Sequence, residues 1–506
     1  MSTRVSLKRL VYFLPLIISL VAPVLIILKS GFSYLGIAVS LSGLASMMYL
    51  VKKEKSWYDR TLFISILVLS LFIVLRTNPL LIFLNIVATF FLGSTLAAQS
   101  KVFAFLNSLL LPVQLLFETI KQKPNYEQYS GTKISSNITK LVSSFEHLLS
   151  VAITIVVLLI IIPILASTNP FFDTLVQNVI SNLRIGNILE YLFGDNIPLH
   201  IARFVLFLIL FALLPRLYSF LKEDKHISSL SLPLSKLKLF LAKITVTCVI
   251  LVFFFTQIQL YTATPELLQE LGYTNSQQTR EVFGQLAIVS IIIFFLVYND
   301  EAGKKRDRIL SYILLTAGLF LTGMAFKSVF DYSSLFGFTQ KRLYGFAAVI
   351  WLTVVYMSFA FMYYNKLKKS TFVQGVILWS AAVLIGINIS NFDYLIAHVR
   401  PAHVGNGTDY QYIVFNTSTD AHAYEMIIDN LYKKNKNNLP EYNYPLSFVI
   451  YHIRYLQDKY GNGFDFRTFN VSEYQEYLRI KEMNVEEIEA EIQKQLPLEP
   501  IPARQR

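Results

Sequence analysis

Residues Pro79–Ala97 read PLLIFLNIVATFFLGSTLA, a run without one charged side chain. A bilayer core about 30 Å thick is crossed by about 20 mostly apolar helical residues. Only helices and closed barrels satisfy their backbone groups in that medium. Barrel strands would alternate apolar and polar residues over about ten positions, whereas this run is continuous and nearly twice as long. It reads as a membrane-spanning helix.

The same pattern recurs on either side. Toward the N-terminus lie Val11–Leu28, Phe32–Val51 and Thr61–Leu75. Toward the C-terminus come Leu148–Leu165, Leu199–Tyr218, Leu239–Tyr261, Gly284–Tyr298, Ile309–Phe330, Leu343–Tyr364 and Phe372–Ile389. Together they predict an all-α, polytopic transmembrane helical bundle of about eleven spans. Composition agrees: 54% of residues are hydrophobic and only 15% charged, against about 25% charged in soluble domains, and the mean hydropathy is +0.49. Arg4, Lys8 and Arg9 before the first run have the polarity of a signal peptide. The run is too long for one and lacks a small-x-small cleavage site, so it is expected to be a retained span. The segment Val102–Ile120 is interrupted by Asn107, Pro112, Gln114 and Glu118, which predicts a helix lying in the membrane interface.

If that segment does not cross, the basic clusters fall on one side. These are Lys52, Lys53, Lys55 and Arg60; Lys101, Lys121 and Lys123; Lys222, Lys225, Lys236 and Lys238; Lys304, Lys305, Arg306 and Arg308; and Lys366, Lys368 and Lys369. The other side keeps only scattered cations such as Lys29, Arg76, Arg184 and Arg280. A multi-pass protein of the cell membrane is therefore expected, with a cytoplasmic N-terminus and an extracytoplasmic C-terminus. The net charge of +12 is explained by these loops. No basic face or RNA-binding motif accompanies it, so nucleic acid is not an expected partner. A lone cysteine, Cys248, rules out an intramolecular disulfide or a Cys-based zinc site.

After Ile389 the composition turns to Asn, Asp, Glu and Tyr. Residues 1–389 thus form the transmembrane region, residues 390–495 a soluble helical C-terminal domain, and residues 496–506 a disordered, Pro-containing tail. Tyr424, Ile427, Ile428 and Leu431 have the spacing of one helix face. Ser472-Glu473-Tyr474-Gln475 has the capping-box pattern and predicts a helix start. The last helix has an acidic face of Glu486, Glu487, Glu489 and Glu491.

Six segments carry a family resemblance. Tyr191-Leu192-Phe193-Gly194 is similar to a Phe-Gly motif, and Gly272-Tyr273 followed by Arg280-Glu281-Val282-Phe283-Gly284-Gln285-Leu286 resembles a Thr-Tyr…Arg-x-Gly-Phe-x-x-Leu entry to a span. Phe336-Gly337-Phe338-Thr339-Gln340-Lys341-Arg342 resembles Tyr-Gly-Leu-Thr-x-x-Arg, and Asn391-Phe392-Asp393-Tyr394-Leu395-Ile396-Ala397 resembles Asn-x-Asp-x-Leu-Ile-Ala. Ser418-Thr419-Asp420-Ala421 is similar to Leu-Ser-x-Asp-Ala, and Phe466-Arg467-Thr468-Phe469-Asn470-Val471-Ser472 to Trp-Arg-x-Trp-Asn-x-Ser. In this order they resemble a bacterial polytopic membrane family catalogued as a domain of unknown function (related groups numbered 4153 and 4173). The chain departs from it at His398-Val399-Arg400-Pro401, where the family has an Asn, and at Phe466 and Phe469, where it has Trp. The resemblance implies a polytopic bacterial protein with an extracytoplasmic helical tail, and it brings no activity.

Candidate ligand-binding residues are Arg280, Glu281, Lys327, Asp331, Arg342 and Asp393, all expected near the outer face, where Asp195 also falls. Arg280 and Arg342 offer anion-binding forks, with Asp331 or Asp393 as counter-charge. Lys327 and Asp331, four residues apart, share a helix face and can pair. The alternative is that these charges pair among themselves or reach lipid phosphate and hold helix ends in register. His398, His403 and His422 accompany Asp409 and Asp420, but without metal-ligand spacing, so no metal and no cofactor are expected. No Gly-x-Ser-x-Gly elbow or P-loop occurs, and no catalytic residue is assigned.

The expected role is an envelope scaffold or sensor, non-enzymatic, with a polar recognition site outside. Its expected partners are membrane lipid and an extracytoplasmic ligand or envelope protein. A transporter or channel for a small or anionic solute is the alternative, suggested by the many spans and by Pro15, Pro23, Pro163 and Pro215. Against it, the mid-span regions are almost wholly apolar, whereas transport sites lie near the midplane. A membrane enzyme acting on a lipid-linked or envelope substrate, with Asp331, Asp393 or His398 as acid or base, is a third.

Overall fold

The computed structural model describes residues 2–28, 31–52, 54–98, 111–121, 197–222, 305–365, 368–404, 407–433, 439–461 and 465–495, with the helical residues 243–244, 246–248, 251, 293–294 and 297–298. The bundle helices are α1 (Ser2–Ile26), α2 (Tyr34–Val51), α3 (Trp57–Leu75), α4 (Pro79–Ala97), α5 (Leu111–Lys121), α6 (Ile197–Lys222), α7 (Lys305–Phe336), α8 (Gln340–Asn365) and α9 (Lys369–Ser390). Seven of the described helices are long and apolar enough to cross a membrane: α2, α3, α4, α6, α7, α8 and α9. The protein is therefore all-α and polytopic. The apolar part of α1, Leu14–Ile26, is shorter. The expected span Leu148–Leu165 lies outside the described residues, and Leu239–Tyr261 and Gly284–Tyr298 fall there except for a few helical residues. Of Val102–Ile120 the structure describes residues 111–120, within α5, a helix 11 residues long, or about 16 Å at 1.5 Å per residue, half the hydrocarbon thickness.

Caps set the helix ends. Ser56 and Asp59 form a capping box at α3: Ser56 Oγ accepts from the Asp59 N–H at 3.1 Å, and Asp59 Oδ2 accepts from the Ser56 N–H at 2.9 Å. The other Asp59 oxygen accepts from Lys52 Nζ at 2.6 Å, so a buried ion pair closes the α2–α3 turn. Asn78 caps α4 with Pro79 in its first turn, where the missing N–H costs no helical hydrogen bond. Asn391, at φ 45°, ends α9 and accepts from the Tyr394 N–H, starting the short helix Phe392–Tyr394.

Short links make α2, α3 and α4 neighbours, and likewise α7, α8 and α9. Their shared core includes Leu62, Ile66, Leu69, Tyr356 and Phe359, joined by Phe294. Gly318 makes room for the Tyr356 ring of α8 against α7: a Cβ there would lie 2.4 Å from that ring. The second glycine of that span, Gly323, has open space beside it.

The segment after Asn391 winds through π-helical Leu395–Val399, a two-residue hairpin pairing His403–Val404 with Gly407–Thr408, and helices Tyr410–Asn416, Tyr424–Ile427, Leu439–Gly461, Val471–Ile480 and Val485–Gln495. It has its own hydrophobic cluster, centred on Ile413, Ile427, Ile428, Leu431, Leu446 and Ile453. The predicted helix face of Tyr424, Ile427, Ile428 and Leu431 packs there as read, with π-helical geometry from Ile428 onward. The capping-box reading at Ser472 needs correction. The cap is Asn470, whose side chain accepts from the Ser472 and Glu473 N–H groups, so the helix begins two residues earlier than a Ser472 cap would allow.

Gly337, between α7 and α8, sits at φ +75°, and a Cβ there would lie 2.0 Å from the Pro401 carbonyl oxygen. Gly337→Ala is expected to cost at least about 2 kcal/mol through strain and displacement of the Pro401 backbone. The readout is thermal unfolding in detergent, with Gly323→Ala as the neutral or slightly stabilising control.

Candidate functional site

The turn between α3 and α4, Arg76-Thr77-Asn78, is where the bundle and the C-terminal segment interlock. Two buried carboxylates meet it. Asp420 accepts from the Thr77 N–H at 2.9 Å, the Thr77 hydroxyl at 3.0 Å and the Asn78 N–H at 3.2 Å. Asp393 accepts from Asn78 Nδ2 at 3.0 Å, Gln340 Nε2 at 3.0 Å, and the Ser418 N–H and hydroxyl at 2.9 and 2.6 Å. Asn78 serves both structures: its Oδ1 accepts from Leu80 and Leu81 N–H groups as the α4 cap, which aims its amide nitrogen at Asp393. Asn391 Nδ2 donates to the Asp420 carbonyl at 2.9 Å, and Asn470 Nδ2 to the Arg76 carbonyl at 2.9 Å.

Beneath the turn, Asn85 of α4 and Asn388 of α9 exchange side-chain amide bonds at 2.9 and 2.8 Å, both fully buried. Arg76 donates to the Asn388 carbonyl. Burial pulls the Arg76 guanidinium below its usual pKa, and the nearby Asp420 and Asp393 oppose that shift. Burial pushes the Asp393 carboxyl above the ordinary aspartate range, against hydrogen bonds from Ser418 and Asn78 and with the Asp420 charge adding to the rise.

Of the expected site residues the structure describes Lys327, Asp331, Arg342 and Asp393, and these four do not share one pocket. Arg280 and Glu281 lie outside the described residues. Lys327 and Asp331 pair across one turn of α7, with side chains 61% and 49% exposed. Arg342 donates to the Phe336 and Gly337 carbonyls at 3.0 and 2.6 Å and stacks over the Tyr332 ring at 4.2 Å. Its fork thus closes the C-terminal end of α7. Asp393 is the one expected residue at the centre of the interlock. Asp195 lies outside the described residues.

The tail histidines act as joints as well. His398 Nε2 lies 2.9 Å from the Ala421 carbonyl, and His422 Nδ1 lies 3.1 Å from the buried Glu476 carboxylate, which also accepts from the Tyr424 N–H. Among the described residues no group of three or more His, Cys, Asp or Glu side chains is placed to hold a metal ion.

Above the turn opens a cleft of about 710 Å³, within the usual range for small-molecule sites. Its floor is Thr77, Asn78 and Leu80; its walls carry Phe415, Phe448 and Tyr451. Phe415 and Phe448 meet edge to face at 5.3 Å, and His452 lies 4.3 Å from Phe448. Phe448, Tyr451, His452 and Tyr455 recur at the i, i+3, i+4, i+7 positions of helix Leu439–Gly461. That aromatic face was legible in the sequence as a helical stripe and is absent from the residues singled out above. A second cavity, about 310 Å³, lies inside the bundle against apolar Leu41, Met48, Ile66 and Leu214.

Span-length apolar helices in an all-α bundle define a multi-pass membrane protein. The chain belongs to the family described as Domain of unknown function (DUF4153), which matches residues 63–429. That range takes in the α3–α4 turn and the motifs carrying Gly337, Asp393 and Asp420. No curated protein and no solved structure matches the chain.

Asp420→Ala strands the buried N–H groups of the turn and is expected to cost about 3 kcal/mol, read as a lower detergent melting temperature and faster proteolysis after Asn391. Asp393 gives a pH signature. With its folded pKa above the free value, the folded chain holds the proton more tightly than the unfolded one. That stabilisation is complete below the ordinary aspartate range and is lost as pH rises through the elevated value. A melting temperature that falls over this window in the wild type should flatten in Asp393→Asn.

Proposed function

We propose that this protein is an envelope scaffold or sensor, in which residues 390–495 form an extracytoplasmic helical domain and the aromatic cleft is its recognition site. The observation that carries this reading is the cleft itself. It is built across the interlock, so that Thr77, Asn78, Gln340 and Ser418 both line it and hold the two buried carboxylates. A scaffold invests buried polar groups to fix such a surface in place. On this reading Arg342 and Asp393 position the site, the exposed Lys327–Asp331 pair contributes little, and Arg280 and Glu281 remain candidate ligand contacts from their charge and expected place near the outer face. Transport is disfavoured because the described bundle interior is apolar around its cavity.

The orientation follows from charge. The helix ends turned away from the interlock carry Lys52, Lys55, Lys222, Arg308, Lys368 and Lys369, which supports a cytoplasmic N-terminus and an extracytoplasmic C-terminus in a bacterial cell membrane. About eleven crossings, counting the apolar runs outside the described residues, keep that parity.

Two measurements test the proposal. With Cys248 replaced by Ser, a membrane-impermeant maleimide should label Glu482→Cys in intact cells and Lys55→Cys only after permeabilisation; the reverse pattern sinks the orientation. Hydroxyl-radical footprinting should find Tyr451 and Tyr455 protected in native membranes and several-fold more reactive in the purified, delipidated protein. Equal reactivity would mean that nothing native occupies the cleft.

A further inference from the structure

We propose that the cleft takes the uncharged sugar headgroup of a membrane glycolipid, with the lipid's chains lying along the exposed face of α4. The inference rests on the cleft being a recognition site and names its ligand class. Three observations carry it.

The first is the chemistry of the walls. Phe448 and Tyr451, 37% and 67% exposed, supply aromatic rings, and Asn416 lines the same cleft; the Thr417 hydroxyl donates to the Ile413 carbonyl and keeps its lone pairs to accept, while the Ser418 hydroxyl is taken up by Asp393. The C–H face of a sugar ring is apolar and faintly positive, which suits the negative face of an aromatic ring. Its hydroxyls suit short neutral side chains that both donate and accept.

The second is charge. Among the described residues no lysine or arginine lines the cleft, and Lys459, beside it, is paired with Glu473. The nearest bundle cation in the interlock, Arg76, is already bonded to the Asn388 carbonyl. A phosphate headgroup would enter without a cationic partner, against the usual rule for burying an anion. Aromatic rings also attract a quaternary ammonium, which makes choline the rival headgroup and phosphatidylcholine the comparison that decides. The one acid in the lining, Glu473, is held by Lys459 Nζ at 2.5 Å and by the Tyr460 hydroxyl at 2.9 Å. A neutral polyol asks for no charged partner from this lining.

The third is continuity with the bilayer. The floor includes Pro79 and Leu80, the first turn of α4. From there Leu80, Phe83, Val87 and Phe90 follow helical spacing down one face of α4, and all four are exposed among the described residues. A polar cleft opening onto an apolar stripe of a spanning helix matches an amphiphile, which keeps its head at the interface and its chains in hydrocarbon. A soluble sugar would make no use of the stripe.

The test is native mass spectrometry of the full chain in detergent micelles, with monoglucosyl diacylglycerol, diacylglycerol, phosphatidylglycerol and phosphatidylcholine offered at equal concentration. The glucosyl lipid should be retained at least about tenfold over the other three. Tyr451→Ala and Phe448→Ala should each reduce its retention by about threefold to tenfold, the loss of one aromatic contact, with unchanged melting temperature for Tyr451→Ala, whose side chain is 67% exposed. Methyl glucoside should bind far more weakly than the lipid, and Leu80→Ser should weaken the lipid alone. Equal retention of phosphatidylglycerol or phosphatidylcholine that Tyr451→Ala abolishes would overturn the glycosyl assignment and leave the recognition site standing. Methyl glucoside binding as tightly as the lipid would overturn the lipid. Retention of every lipid untouched by Tyr451→Ala, together with unprotected Tyr451 in membranes, would overturn both.

Discussion

A chain that leaves one membrane helix at Leu75 and enters the next at Pro79 must expose backbone N–H groups where little water is available to bond them. Here the Asp420 carboxylate takes the N–H groups of Thr77 and Asn78 and the Thr77 hydroxyl together. Bonding to the ionised form is the arrangement in which a buried carboxylate is tolerated. The bundle and the C-terminal segment therefore each supply what the other lacks: donors with no acceptor on one side, and an acceptor with no solvent on the other. Neither surface is satisfactory alone, and so the two are found bonded.

The second carboxylate extends the same logic to α8. Asp393 gathers Asn78 from the α3–α4 turn, Gln340 from the first turn of α8 and Ser418 from its own segment. The Phe338 N–H donates to the Arg400 carbonyl at 2.8 Å nearby. With Gly337 flattened against the Pro401 carbonyl, the α7–α8 turn is clamped from two directions. Arg342 completes the arrangement by closing the end of α7 with its guanidinium. A residue whose type suggested an anion fork is spent on carbonyls, because a helix that ends at a tight turn leaves acceptors that a planar donor fits well.

The spans were legible because a single physical demand, apolar length, writes them into contiguous sequence. Pro79–Ala97 as read is helix α4 to the residue, and the long run beginning at Ile309 was recognised although the helix continues to Phe336. The interlock was legible only as a set of unexplained motifs. Phe336–Arg342, Asn391–Ala397, Ser418–Ala421 and Phe466–Ser472 were each noticed by resemblance, and the structure brings all four to the α3–α4 turn. What the sequence could not supply was the pairing. Thr77 and Asp420 are 343 positions apart, and no local periodicity links residues at that distance. Arg76 looked like one more scattered cation for the same reason. Ser472 misled in a different way: two polar residues close together, Asn470 and Ser472, compete for the cap, and local pattern does not decide which one the partner carbonyl of Arg76 holds in place.

Thr77, Asn78, Gln340 and Ser418 stand on both sides of this account, since they fix the joint and also floor the cleft. A molecule seated there touches the bundle and the C-terminal segment at once and is bound only while the two are docked. By linkage its occupancy favours the docked arrangement, and anything that tightens the docking improves its affinity by the same factor. The buried carboxylates therefore do more than hold a tail to a bundle. They determine how strongly the state of the cleft is felt in the α3–α4 turn, and through Asn85 and Asn388 in the helices below it. A rigid scaffold and a sensor differ only in how far from even that docking equilibrium lies. In this protein, that distance depends on the protonation of Asp393 and on the hydrogen-bond partners of both carboxylates.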